Sequence, residues 1–326
     1  MNYHLYVTGS IVRSVLSGLV ILPALGFSVL VLRKPGVKHD HTRRWVDFTK
    51  IALGLWSMPF LGKIQRSELL SVVYWIILAI YYARRKNGYF FFPEGIFYLV
   101  YVGGLIEYLG HVALLLAFFS LAHALTQLRS GAESVDSRAY RAGRKVVIGL
   151  SALVTLVAVA IFACQVAEAV LFEILPRRGR YVPGDWDNAI RLGVAAQHMG
   201  VINIGFLLVA ALGLVGYVVV SFKAARGSPT QTASPLLLIA VSLWLITRLW
   251  RFISCIMAMT GHYWGYDPSY IGGVVVDAIL YVWPTFVALM ILYVLASDNA
   301  YSLSRLHYQE EEEDEQRIWD ERTQST

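Results

Sequence analysis

Glu107 and His111 stand four residues apart in the segment Glu107-Tyr-Leu-Gly-His111, inside a long apolar run from Pro93 to Leu125. On a helix they share one face, about 40° apart around the axis. A carboxylate beside an imidazole can pass a proton or hold a polar ligand, and it can equally be a hydrogen-bonded packing pair. Burying either group in hydrocarbon costs about 3 kcal/mol or more, so such residues usually face a bundle interior or a cavity. Both uses stay open for this pair.

Other apolar runs carry similar groups. Arg248 and Arg251 lie three residues apart on one face, where they can neutralise Asp277 or Glu107 or clamp an anion. Asp277 is followed one turn later by Tyr281 and then by Pro284. Glu107, Asp277, His111 and Tyr281 are therefore the candidates for acid–base chemistry. The candidates for holding a substrate are His198, Asn203, Arg248, Arg251, Trp250 and Glu168, although Glu168 more readily suits an interfacial position.

Several chemistries lack their signatures. The sequence contains no HExxH, no closely spaced Cys/His cluster, no P-loop, no GxGxxG, no GxSxG and no DDxxD. No cofactor and no metal are expected. Only His111 with His198 offers matched depth for a bis-histidine haem, which is a weak signal. What remains is metal-free proton chemistry on a lipophilic molecule. A carboxylic acid in an apolar cavity favours its neutral form and can donate a proton near neutral pH. Aromatic faces can stabilise a cation.

The elements that must position these groups are membrane spans. The 326 residues are 57% hydrophobic and 15% charged, with a mean hydropathy of +0.56, against about 45–50% and about 25% in soluble domains. Apolar runs long enough to cross a bilayer recur along the chain. The expected spans are Ile11–Leu32, Gly95–Leu125, Val146–Leu171, Ile190–Phe222, Pro235–Met259 and Ile271–Ala296, plus one of two shorter runs, Phe48–Gly62 or Leu69–Ala83. If both short runs cross, the count is eight.

Seven spans with the amino terminus lumenal or extracellular place the Arg-rich loops after Leu32 and Leu125 on the cytoplasmic side, as the positive-inside rule prefers. The fold class expected is thus an all-α polytopic bundle, residues 1–300 forming one transmembrane domain. Residues 301–326, with the acidic run Glu310–Glu315, form a disordered cytoplasmic tail. The net charge of +6 belongs to loops between spans and implies no nucleic-acid partner. Cys164 and Cys255 both fall in spans, so no disulfide framework is expected. Counting 1.5 Å per residue, the polar candidates gather at one level, in the outer half of the last five spans.

A small multi-helix protein with intramembrane carboxylates such as Glu107 and Asp277 and no metal motif resembles the fungal integral-membrane terpene cyclases of secondary metabolism. That resemblance is architectural and assigns no residue a role. It implies a metal-independent terpenoid or meroterpenoid cyclase or isomerase of the endoplasmic reticulum or another endomembrane, acting on a lipophilic prenylated substrate beside other pathway enzymes. The segment Arg248-Leu-Trp-Arg251-Phe252, with Asp277 and Pro284 after it, is also similar to fungal lipid-translocating exporter-type heptahelical proteins, over the last two spans alone. It implies the alternative, a non-enzymatic translocator or sensor of lipids or small molecules.

Overall fold

Hydrocarbon offers a backbone no hydrogen-bonding partner, so apolar runs of this length fold as helices that satisfy their own amides. A computed structural model describes residues 3–32, 43–57, 96–130, 138–174, 182, 184–224, 231–260 and 270–297. The described residues form seven helices and no strand. These are α1 (Tyr3–Leu32), α2 (Arg44–Ser57), α3 (Ile96–Ser130), α4 (Arg138–Ala169, ending in a π turn at Val170–Ile174), α5 (Asp185–Ala224), α6 (Ala233–Met259) and α7. The last comprises Tyr270–Asp277, a π turn at Ala278–Val282, and Trp283–Ser297.

Five of them, α3 to α7, contain stretches long and apolar enough to cross a membrane. The candidate span Leu69–Ala83, the loops at 33–42 and 261–269 and the tail at 301–326 lie outside the described residues. Of the two runs proposed for the second span, the first is represented by α2, a helix of 14 residues.

Neighbours in sequence pack side by side, and α1 closes the ring by touching both α2 and α7. The centre belongs to α3. Of its spanning stretch 67% is buried, against 22% for α4, which presents most of its surface outward. Cross-contacts fix the direction of each helix. The Arg43 Nη2 group donates to the Ala296 carbonyl at 3.0 Å, and Thr126 Oγ1 lies 3.5 Å from Ser221 Oγ. The start of α2 and the ends of α3, α5 and α7 therefore share one end of the bundle. At the opposite end, Phe172 of α4 packs on Trp186 of α5 with ring centroids 4.2 Å apart.

The start of α5 has a local cause. Gly184 sits at φ 98°, a conformation that side chains with a β-carbon rarely adopt. Just beyond it, the Asp185 carboxylate accepts from the Val182 amide at 3.1 Å and the Asp185 amide donates to the Val182 carbonyl at 3.1 Å. Asp185 and Asp187 also place negative charge in the first turn, where the helix dipole favours it.

The half of the bundle nearer Arg43 is a dry core of Phe118, Leu121, Leu125, Leu214, Leu237, Leu289 and Leu292. Trp244 forms its ceiling, packed on Phe118 with tilted rings 5.8 Å apart between centroids. The polar groups lie above that ceiling, towards Trp186.

Candidate functional site

Three helices build the site. From α3 come Glu107 and His111, one turn apart. Residues Trp244, Arg248 and Arg251 of α6 recur at i, i+4 and i+7 and so form one stripe, and α7 supplies Asp277 and Tyr281. The π turn begins directly after Asp277, and its cause lies one turn further on. Pro284 has no amide hydrogen, and its ring crowds the carbonyl four residues back, so the helix widens just before it.

His111 is the hub. It is 3% exposed and touches three side chains. The Trp244 indole N–H donates to Nδ1 at 3.3 Å, Arg248 Nη2 lies 2.6 Å from Nε2, and Tyr281 Oη lies 3.4 Å from Nε2. A neutral imidazole has one lone pair in the ring plane, so it can accept from Trp244 or from Arg248 but not from both. Adding a second proton would remove that lone pair and set a cation against the guanidinium. The hub is therefore short of acceptors in each of its protonation states.

The two arginines differ sharply. Arg251 reaches Glu107, Nη2 to Oε1 at 3.8 Å, with side chains 35% and 18% exposed. Arg248 is 1% exposed and has no carboxylate within ion-pair distance among the described residues, and its Nε has no hydrogen-bond partner. Both guanidinium groups lie over the Tyr281 ring, at 5.6 Å for Arg248 and 5.1 Å for Arg251, inside the range of cation–π attraction. Asp277 accepts from the Trp250 indole N–H at 3.2 Å.

The structure thus brings together Glu107, His111, Arg248, Arg251, Trp250, Asp277 and Tyr281. Asn203 is fully buried on α5, and neither its amide nitrogen nor its oxygen has a hydrogen-bond partner among the described residues. It occupies the same level by register, lying between Gly200, which faces Tyr108 Oη, and Leu207, which clusters with Val112. The other two candidates stand apart. His198 is exposed on α5. Glu168 is half-buried on α4 against Gly193 of α5, where a β-carbon would fall 2.6 Å from its Oε1.

Trp244 was not among the sequence candidates, although Trp250 on the same helix was. The signal for it was its spacing from Arg248 and Arg251 on one helical stripe. Among the described residues, no group of three or more His, Cys, Asp or Glu side chains is placed to hold a metal ion. Searches of family models, curated proteins and solved structures return no match to this chain.

Proposed function

We propose that this chain is a seven-span membrane protein of an endomembrane, with its amino terminus lumenal and its carboxyl terminus cytoplasmic. It recognises a lipophilic small molecule at the level of His111, as a translocator or sensor. The observation that carries this reading is Arg248, a guanidinium buried at bundle depth with no carboxylate within ion-pair distance among the described residues. A buried charge without a partner is strongly unfavourable. A helix-packing device would not need it, whereas a recognition site for a polar group does.

The test is a thermal-stability screen of the purified protein in lipid nanodiscs against lipophilic small molecules, with the bound compound then identified by mass spectrometry. Stabilisation by a compound recovered unchanged supports recognition. A screen that yields no stabilising compound contradicts it.

Asp277 favours a second reading, a metal-independent cyclase. Its carboxylate accepts from the Trp250 indole beside the π turn that carries Tyr281, a deformation that recurs at functional sites. Glu107 is already engaged by Arg251, so Asp277 is the acid in this reading. Conversion of a prenylated epoxide by the wild type and not by Asp277→Asn would establish it.

A further inference from the structure

Beyond recognition itself, the arrangement around Arg248 specifies the kind of ligand. Three observations concern unmet donors, and a fourth sets aside a donor that is already met. The Trp244 and Arg248 donors compete for the single lone pair of His111. The Nε of Arg248 is buried without a hydrogen-bond partner among the described residues. Asn203, at the same level on α5, has an unpartnered amide that is 0% exposed. Arg251, the neighbouring cation, already has Glu107.

What Arg248 lacks among the described residues is an acceptor within reach that has two oxygens and a negative charge, since Glu107 is held by Arg251 and Asp277 accepts from Trp250. Depth narrows the choice. Arg248 stands eleven residues from the end of α6 at Met259, about 16 Å along a helix rising 1.5 Å per residue. A phospholipid head group stays at the interface. A group attached to a slender apolar body can travel that far.

We propose that Arg248 is the binding residue for the carboxylate of a lipophilic acid, with Trp244 and Asn203 as supporting donors and Arg251 as a structural partner of Glu107. A carboxylate matches the planar guanidinium fork and is small enough for a site bounded by the Trp244 and Tyr281 rings. By taking Arg248 it frees the His111 lone pair for Trp244, so both donors are satisfied at once. This inference rests on the recognition reading above.

The experiment is a binding titration of the full-length protein in nanodiscs. The probes are octanoic, palmitic, oleic and abietic acids, each with its matching alcohol, and lysophosphatidic acid as a phosphate-bearing control. At least one acid should bind wild type more tightly than its alcohol. Arg248→Met should weaken that acid by about tenfold or more while leaving the alcohol unchanged, the expected scale for losing hydrogen bonds to a charged group. Arg248→Lys keeps the charge without the fork and should fall between the two, and it provides the reading if Arg248→Met does not fold.

Equal binding of every acid and its alcohol, or acid binding unaffected at position 248, overturns the carboxylate assignment and leaves the recognition reading intact. Binding of lysophosphatidic acid alone also overturns it. If none of the probes binds but the wider screen finds a neutral ligand, the carboxylate fails and recognition stands. If the wider screen finds no ligand at all, both fail.

Discussion

Arg248 and Arg251 lean on the same tyrosine ring from one helix stripe, yet among the described residues only Arg251 has a carboxylate within ion-pair distance. Removing one member of a buried pair leaves the other charge uncompensated, which costs about 3–5 kcal/mol in a closed interior. The Arg251–Glu107 pair is partly exposed and 3.8 Å long, so Arg251→Met should cost about 2 kcal/mol after allowance for screening. Adding Glu107→Gln to that variant should restore part of the loss, a coupling that a double-mutant cycle in thermal or denaturant unfolding would measure.

The sequence displayed both arginines and both acids, together with the spacing that put each pair on one face. Which arginine meets which acid depends on how α3, α6 and α7 are rotated against one another, and a single chain read by itself does not contain that. His111 illustrates the same limit. Its place beside Glu107 was plain, but its real partners come from positions 133, 137 and 170 residues away.

Two element-scale features bear on the site. The π turn at Ala278–Val282 rotates Tyr281 relative to Asp277 and is caused by Pro284. Pro284→Ala should let α7 regain regular α geometry. The expected result is weakened ligand binding with unfolding changed by no more than about 1 kcal/mol, since Ala is the better helix former and offsets lost packing. A larger loss of stability with binding intact would mean that the turn serves packing alone.

The second feature is the close approach of α4 and α5 at Gly193. A β-carbon there would meet the end of the flexible Glu168 side chain, which can swing aside. Gly193→Ala should therefore cost little on its own. In a Glu168→Ala background it should stabilise, approaching the ~1 kcal/mol helix-propensity gain of Ala over Gly. Unfolding of the two single variants and the double variant checks this. Proline at 284 and glycine at 193 were visible in the sequence. Their consequences were not, because each depends on what lies opposite.

At the scale of the whole molecule, apolar run length identified every described spanning helix, since backbone burial in hydrocarbon leaves the helix as the only option for such runs. The expected second span resisted the same reasoning, and α2, with 14 residues, is not among the helices long and apolar enough to cross. Phe48–Gly62 and Leu69–Ala83 are both short, and α2 earns its place through packing, with Trp45, Val46, Ala52 and Leu53 buried, more than through length.

The proposed orientation has a direct check. Val182 and Arg144 are exposed near opposite ends of the bundle. Cysteines introduced at these positions into a variant lacking Cys164 and Cys255 should react with a membrane-impermeant maleimide from opposite sides, Val182→Cys from the lumenal side. The reverse pattern would invert the topology.

If Arg248 serves a ligand and not the fold, the ligand-free protein should not depend on it for stability, and the melting temperature of Arg248→Met decides the matter. An unpaired buried guanidinium opposes folding, so replacing it with an apolar side chain of similar length should leave the melting temperature unchanged or raise it. A fall as large as that of Arg251→Met would make Arg248 a structural residue and overturn its assignment to a ligand.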